Sequence, residues 1–253
     1  MKTLILFVDA LGFSSITKER MPKLFELFTR GIFRRVRTLL GYSNTIIPSI
    51  FSGAYPVQHD IWSIYRLSPK TSPFKVPPFF PPSIFDRNLL LRYFANRLIY
   101  HASKRRGLIP SSLTAANIPI KFLKYFDVST QKHVAEPLSV NSFPTIFDLA
   151  RGTSAVTAYV GYPFHKGTEV ILDLAEKKLN DSAGVVAYID EIDHFQHKFG
   201  VNSPEFRKLL LEFDESCSRF LSKILSREDV NVIAFSDHGM KDVNGFVDLA
   251  PLI

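Results

Sequence analysis

The chain has 253 residues, of which 46% are hydrophobic and 22% are charged, and its formal net charge is +7 at neutral pH. This composition is that of a globular protein and excludes intrinsic disorder for most of the chain. A single cysteine, Cys217, excludes an intramolecular disulfide framework and a zinc site built from several thiolates. No apolar run reaches the roughly 18–20 residues that a membrane-spanning helix needs.

The positive charge is concentrated in the middle of the chain. Residues 61–127 carry eleven lysines and arginines against two acidic residues, whereas residues 128–253 carry twelve against eighteen. Such a local excess indicates that one region handles an anionic partner or substrate.

The first predicted strand is Thr3–Val8, a continuous apolar run typical of a strand that is buried on both faces. Asp9 interrupts this run and no small-residue cleavage site follows, so we interpret the segment as a strand and not as a secretory signal. We therefore expect a cytoplasmic location. Next we predict a helix that begins at Pro22, a second strand over Ile32–Leu40, and the start of another helix at Pro48.

From residue 67 to residue 142 the regular pattern is lost. The stretch KTSPFKVPPFFPPS is too rich in proline for a regular helix or a central strand. A basic helix is predicted over 87–106, followed by a further helical piece around Ile118–Phe126. We interpret 67–142 as a basic, proline-rich insertion, or lid, in a single domain that spans residues 1–253.

Regular alternation returns after residue 142. The segments PTIFDLAR, TEVILDLAEKKL and Pro204–Leu225 have helical patterns, and SAVTAYVG, GVVAYID and NVIAFSD are apolar enough for buried strands. Strands that alternate with helices at this spacing predict an α/β fold, with a doubly wound, mostly parallel sheet and helices on both faces. In such sheets the chemistry gathers at the carboxyl ends of the strands.

Acidic residues and histidines follow three of these strands directly, in the segments FVDALG, YIDEIDHFQHKFG and FSDHGM. One carboxylate after a strand often only caps the next helix or starts a turn. Three such clusters, two of them with histidine, favour a metal site, since carboxylate and neutral imidazole form the mixed ligand set of zinc or manganese. The candidate ligands are Asp9, Asp190, Asp193, His194, His197, Asp237 and His238.

These segments resemble the alkaline phosphatase superfamily, and within it the type I phosphodiesterase/nucleotide pyrophosphatase branch. The resemblance rests on AFSDHGM, on the Asp-x-x-x-His-x-x-Gly pattern of DHFQHKFG, and on the first strand ending in Asp9. The segment GYSNTIIPSIFSGAYPVQHDIW is similar to the nucleophile segment of this branch and aligns Ser43 with the nucleophile, with Thr45 as the rival hydroxyl. The resemblance covers residues 1–65 and 143–252 and leaves the basic insertion unmatched.

The resemblance implies two divalent metal ions, zinc or alternatively manganese. Asp9, Asp237, His238 and the nucleophile Ser43 would hold one ion. Asp193 and His197 would hold the other, together with a further histidine near the C-terminus. The implied reaction proceeds by attack of the serine on phosphorus and through a phosphoseryl intermediate.

The sequence departs from the family pattern after His238, because no histidine follows it. The second metal site then has only Asp193 and His197 unless another group completes it; His165 is a weak candidate. Three explanations stay open: a truncated chain, a ligand from a partner, or tight binding of one metal only. His59 also matches a family position, where we expect it to order the loop after the nucleophile.

We therefore predict a metal-dependent phosphoester hydrolase of the phosphodiesterase or nucleotide pyrophosphatase type that acts on a phosphate-containing small molecule or lipid. The alternative is a catalytically weak or inactive relative that binds an anionic ligand or a membrane surface through its basic insertion. The insertion itself fits a substrate lid, a peripheral membrane contact, or an element that only aids solubility. No motif predicts specific nucleic-acid binding, and the sequence defines neither the substrate nor the oligomeric state.

Overall fold

A computed structural model describes residues 1–41, 43–110, 113, 115–116, 118–130, 132–153, 155–164 and 166–245. The strands are β1 (Lys2–Val8), β2 (Tyr65–Leu67), β3 (Phe126–Val128), β4 (Thr157–Gly161), β5 (Gly184–Ile189) and β6 (Val230–Phe235). The helices are α1 (Pro22–Thr29), α2 (Ser43–Ser52), α3 (Pro56–His59), α4 (Pro82–Phe85), α5 (Leu89–Arg105), α6 (Ile120–Leu123), α7 (Ile146–Arg151), α8 (Thr168–Asp181), α9 (Glu191–Phe199) and α10 (Pro204–Leu225). The described residues form two compact units, one from 1–38 and 154–253, the other from 39–153.

The first unit is built on a parallel sheet with the strand order β4-β5-β1-β6. Leu4, Leu6 and Val8 alternate along β1 and pack with the buried faces of α1, α8 and α10 in one hydrophobic core. The even-numbered residues of β1 thus face the helices, as the period of two in a strand requires. This arrangement confirms the predicted α/β fold with a mostly parallel sheet.

Helix α1 is tied to α10 by a buried carboxylate. Asp214 of α10 accepts hydrogen bonds from the backbone N–H groups of Lys23, at 3.1 Å, and Leu24, at 2.7 Å. These N–H groups belong to the first turn of α1, where no helical carbonyl is available to them. Because Pro22 lacks an N–H, the Asp214 carboxylate meets the donors that remain at this helix end.

The second unit has a core of its own. The strands β2 and β3 form an antiparallel pair, and Phe74, Tyr100 and Leu123 are buried beside them with the inner face of α5. The basic helix predicted over 87–106 is therefore present as α5. The predicted insertion, 67–142, lies inside this unit, whose bounds are wider, and its role as a lid remains a prediction.

Three local predictions differ from the structure, one in the type of element and two in its bounds. No strand forms over Ile32–Leu40: Ile32, Val36 and Leu40 are almost fully exposed, so the apolar residues of this segment have no sheet against which to pack. The segment around Ile118–Phe126 forms only the short α6 and then enters β3.

The helix that we expected to begin at Pro48 begins five residues earlier, at Ser43, so that Ser43 starts a helix and does not follow a strand. Proline is favoured at the first position of a helix, and this preference misplaced the boundary, since Pro48 lies inside α2. Among the described residues, no helix is both long and apolar enough to cross a membrane.

Candidate metal site

The predicted ligand clusters meet at one edge of the sheet in the first unit. Asp9 follows β1 directly, α9 begins just after β5, and Asp237 and His238 follow β6. Because β5, β1 and β6 are parallel neighbours, the segments that follow them emerge on the same side of the sheet.

Asp9, Asp237 and His238 form a three-residue donor set in which one ligand atom from each residue lies within 4.8 Å of the other two. The imidazole Nε2 of His238 is 3.5 Å from Asp9 Oδ1 and 3.5 Å from Asp237 Oδ2. Both carboxylates are buried, whereas the imidazole is partly open to solvent. Among the described residues, these three form the group of acidic and histidine side chains whose ligand atoms lie close enough together to share one metal ion.

The set suits a divalent cation on two grounds. Asp237 Oδ2 is buried and has no hydrogen-bond partner among the described residues, which is costly for a carboxylate oxygen unless a cation or proton meets it. Two ligand atoms at about 2.1 Å from a tetrahedral zinc lie about 3.4 Å apart, close to the 3.5 Å spacings around His238 Nε2.

The orientation of the His238 ring also suits the binding of a divalent cation. Its Nδ1 lies 3.2 Å from the carbonyl oxygen of Gly239. A proton on Nδ1 that donates to this carbonyl leaves the lone pair of Nε2 directed at the two carboxylates. Backbone carbonyls commonly hold metal-ligating histidines in this way.

The surroundings of Asp9 disfavour its negative charge. Burial and the nearby Asp237 carboxylate raise the pKa of Asp9 from 3.8 to about 7. The Tyr188 hydroxyl donates a 2.5 Å hydrogen bond to Asp9 Oδ2 and opposes this rise. Two carboxylates that share a buried site repel each other, and a bound cation would relieve that repulsion.

Two hydrogen bonds hold the backbone at Ala10, the residue after Asp9. Ala10 has a left-handed conformation, with φ of 57°, and its N–H donates to Asp237 Oδ1 at 3.3 Å. The side-chain amide of Gln196, buried on α9, donates to the Ala10 carbonyl at 3.3 Å. Ala10 therefore links the segment after β1 to the segment after β6 and to α9.

Two glycines bring the loops after β1 and β6 into backbone contact. A Cβ on Gly239 would lie 2.8 Å from the Cα of Gly12, and a Cβ on Gly12 would lie 3.2 Å from the Cα of Gly239. Since the first distance is shorter than van der Waals contact, Gly239 allows an approach that a side chain would block. The donor set depends on this approach, because Asp237 and His238 immediately precede Gly239.

Helix α9 presents the second predicted pair. Asp193 and His197 are four residues apart and therefore share a helix face, with Nε2 of His197 3.4 Å from Asp193 Oδ1. Burial raises the pKa of Asp193, while the neighbouring His197 and His238 lower it. Asp193 thus lies in the electrostatic field of the first donor set. No third ligand joins this pair in a compact group among the described residues.

The other acidic residues and histidines near α9 have different surroundings. Glu191 accepts hydrogen bonds from the N–H and the hydroxyl of Thr168 at the start of α8, at 3.1 and 2.5 Å. His194 is exposed, as expected for a neighbour of Asp193 on another helix face. Burial raises the pKa of Asp190. His165 lies outside the described residues.

The nucleophile segment belongs to the second unit. Ser43 is the first residue of α2 and is half-buried. The hydroxyl of Thr45, the rival, is fully buried and donates to the carbonyl of Trp62 at 2.7 Å. The geometry within α2 therefore favours Ser43, since the first turn of a helix presents N–H groups that attract a phosphate.

His59 orders this segment, as the sequence predicts. Its Nδ1 accepts from the N–H of Ile61 at 3.1 Å, so the neutral ring carries its proton on Nε2, which lies 2.9 Å from Ser49 Oγ. Burial lowers the pKa of His59 and keeps the ring neutral. The Ser49 hydroxyl continues the chain of hydrogen bonds to the Thr45 carbonyl at 3.3 Å. The Asn141 amide donates to the His59 carbonyl.

Sequence reasoning missed Tyr188, Gln196 and the pair of glycines. Tyr188 sits beside Phe7 in the β1–β5 register, one position before the carboxyl ends of both strands. A tyrosine there, at the end of an aliphatic strand, was a signal that a hydroxyl reaches the ligand cluster. Gln196 carried a similar signal, because it lies three residues after Asp193 at a buried position of α9.

A parallel α/β sheet with two buried carboxylates and an imidazole at its carboxyl edge defines a class of protein that is suited to hold a divalent cation there. The chain belongs to the type I phosphodiesterase / nucleotide pyrophosphatase family, whose model matches residues 3–253. This family is in general metal-dependent.

Two solved structures of the murine ectonucleotide pyrophosphatase / phosphodiesterase 5 are similar to this chain, each with 14% sequence identity and a TM-score of 0.58. Each match covers 95% of this chain and 58% or 57% of the murine chain. The second structure is of an inactive variant in complex with AMP. At this identity the likeness supports the fold, and the chain spans somewhat more than half the length of these relatives.

Proposed function

We propose that the chain is a metal-dependent hydrolase of phosphodiester or pyrophosphate bonds. The observation that carries the proposal is the Asp9–Asp237–His238 set, with a buried oxygen on Asp237 to which no described residue hydrogen-bonds, in a chain of this family. A role in binding alone gives no reason to keep two repelling carboxylates buried beside an imidazole.

Asp9, Asp237 and His238 would hold one divalent cation, and Asp193 with His197 would contribute to a second. Two carboxylates and an imidazole suit zinc, with manganese as the alternative. A cation bound there supplies Lewis-acid stabilisation of the charge that develops on phosphoryl oxygens.

Ser43 is the proposed nucleophile. Its Oγ gives up its proton, attacks phosphorus and forms a Ser–O–P bond, while the bond from phosphorus to the leaving oxygen breaks and that oxygen departs with a proton from solvent. Water then cleaves the phosphoseryl bond and restores the hydroxyl. A free serine hydroxyl is a weak nucleophile at neutral pH and needs activation. The position of Ser43 at the first turn of α2 supports this role, since the helix N-terminus stabilises negative charge.

The proposed substrate is a phosphate-containing small molecule of the nucleotide class, because a similar murine structure is a complex with AMP. A lipid phosphodiester is the second substrate class to assay. The cytoplasmic location and the absence of specific nucleic-acid binding stay predictions.

The test is hydrolysis of bis(p-nitrophenyl) phosphate and of a dinucleotide by the metal-free protein, with and without added zinc or manganese. We expect turnover only with metal. Ser43→Ala should abolish turnover without changing the melting temperature. Thr45→Val should retain turnover, provided that the variant is folded.

Turnover that survives in Ser43→Ala and is lost in folded Thr45→Val would overturn the nucleophile assignment. A folded, metal-loaded wild type that cleaves no phosphoester would favour the inactive, anion-binding relative.

A further inference from the structure

Helix α5 leaves an apolar ridge on its outer face. Its inner residues, such as Ala95 and Ile99, are buried in the core of the second unit. Leu90, Phe94 and Leu98 recur at intervals of four and remain 68%, 60% and 58% exposed. Residues four apart lie on one helix face, so these three side chains form a continuous stripe, which we call the apolar ridge.

The elements packed against α5 also expose apolar side chains. Helices α4 and α6 both contact α5 and each other. Ile84 of α4 and Phe122 of α6 are largely exposed, and the Lys121 ammonium lies 4.8 Å from the centroid of the Phe122 ring. Clusters of exposed apolar groups of this kind mark interaction surfaces more often than isolated ones do.

The charge along α5 and the segment that follows it is positive, and the nearest carboxylate before this stretch, Asp86 at the end of α4, accepts hydrogen bonds from the N–H groups of Ile120 and Lys121. Residues 87–126 carry eight lysines and arginines and no acidic residue. Arg97 and Arg105 are exposed, and each is seven residues after a leucine of the apolar ridge, which places them on the same side of α5. The guanidinium of Arg97 lies 5.6 Å from the centroid of the Tyr93 ring.

We propose that the apolar ridge and its cations dock the protein on the surface of a lipid bilayer that carries anionic headgroups. Basic residues beside exposed leucine and phenylalanine are the chemistry of an interfacial helix: the apolar side chains enter the acyl boundary and the cations meet the headgroups.

Two other occupants fit the surface less well. A nucleic acid would use the cations and the aromatic rings, but not the two exposed leucines of the apolar ridge. A second copy of the chain would bring eight further cations against the first eight, which disfavours self-association through this face.

The experiment is co-sedimentation of the full chain with two kinds of extruded vesicle. One contains phosphatidylcholine alone, and the other contains phosphatidylcholine with about 30% phosphatidylserine by mole, because anionic lipids attract basic segments. The ridge variant is Leu90→Ser/Phe94→Ser/Leu98→Ser, and the charge variant is Arg97→Gln/Arg105→Gln. The matched control replaces three exposed apolar residues of the first unit, Val170, Leu211 and Leu225, by serine.

We expect the wild type to bind the phosphatidylserine vesicles, more weakly as salt rises, and to bind pure phosphatidylcholine poorly. The ridge variant should lose at least about tenfold in vesicle partitioning, the charge variant should lose most of its salt-sensitive binding, and the control should bind as the wild type does.

Equal binding by the ridge variant and the wild type would overturn the proposal, as would a wild type that does not bind the anionic vesicles. A wild-type dimer that the ridge variant converts to monomer would assign this face to a second copy. Binding of single-stranded oligonucleotide without vesicle binding would assign it to nucleic acid. Because vesicle binding needs no turnover, these outcomes are independent of the hydrolase assay.

Discussion

Asp237→Asn should stabilise the metal-free protein while it removes metal binding. The asparagine keeps the Oδ1 acceptor for the N–H groups of Ala10 and His238. It places an amide where, within the described part of the chain, the buried Oδ2 of Asp237 has no hydrogen-bond partner. The substitution therefore removes a repelling charge and an unpartnered oxygen in one step, at the cost of a ligand.

The magnitude follows from the pKa of Asp9, which rises from 3.8 to about 7. At about 1.36 kcal/mol per pKa unit, this rise disfavours the ionised form of Asp9 in the folded protein by about 4 kcal/mol. Burial is the larger cause and the Asp237 carboxylate the next, so we assign about 1–2 kcal/mol of the effect to Asp237. In a chain of this size that corresponds to about 2–8 °C in melting temperature.

The stabilisation by Asp237→Asn should depend on pH, because Asp9 changes its charge near neutral pH. A carboxyl with a raised folded pKa contributes stability that is complete below its unfolded pKa near 3.9 and is lost as pH rises through about 7. The gain from Asp237→Asn exists only where Asp9 is ionised. It should therefore be largest at about pH 8 and should disappear towards about pH 5.

The assay is thermal unfolding, followed by circular dichroism, in chelator and with zinc at about 100 times the dissociation constant. Under the second condition the wild type should gain about 2.7 kcal/mol and the variant almost none, so that the order of stability reverses. Asp173→Asn, at an exposed position of α8, is the matched control and should show neither effect. A variant that is less stable than the wild type in chelator at pH 8, or that keeps the full zinc-induced shift, would refute the reasoning.

Three further outcomes follow from the same contacts. Tyr188→Phe removes the hydrogen bond to Asp9 Oδ2 and should weaken zinc binding about 10–100-fold in calorimetric titration; an unchanged affinity would show that the hydroxyl does not position Asp9. Gly239→Ala places a Cβ 2.8 Å from the backbone of the facing loop and should lower both zinc affinity and melting temperature, whereas Gly245→Ala, whose Cβ would meet no atom of the described residues within 4 Å, should change neither. Asp214→Ala leaves two N–H groups at the start of α1 without their carboxylate and should cost about 1–3 kcal/mol in chemical denaturation; a loss below about 0.5 kcal/mol would mean that water replaces the carboxylate.

The sheet and its ligand edge could be predicted from local sequence alone. The strands that end before Asp9, Asp190 and Ser236 are short apolar runs with polar residues directly after them, and parallel pairing aligns such ends. Asp9, Asp237 and His238 were therefore predictable as a group, even though 227 positions separate Ala10, the residue after Asp9, from Asp237, whose carboxylate accepts a hydrogen bond from the Ala10 N–H.

The supporting contacts could not be predicted in this way. The hydroxyl of Tyr188 reaches Asp9 only because β5 pairs with β1 in one particular register, and the approach of Gly12 to Gly239 depends on two loops far apart in sequence. The wrong strand over Ile32–Leu40 shows the converse: an apolar pattern forms a strand only where a partner strand is available to accept its hydrogen bonds.

The central claim is that Asp9, Asp237 and His238 hold a divalent cation. Elemental analysis by mass spectrometry of zinc-loaded, desalted protein tests it most directly, with the wild type compared with Asp237→Asn and with the α9 variant His197→Ala. We expect at least one zinc per folded wild-type chain, loss of that zinc in Asp237→Asn, and its retention in His197→Ala. A folded wild type that retains no metal, or an Asp237→Asn variant that retains as much as the wild type, would contradict it.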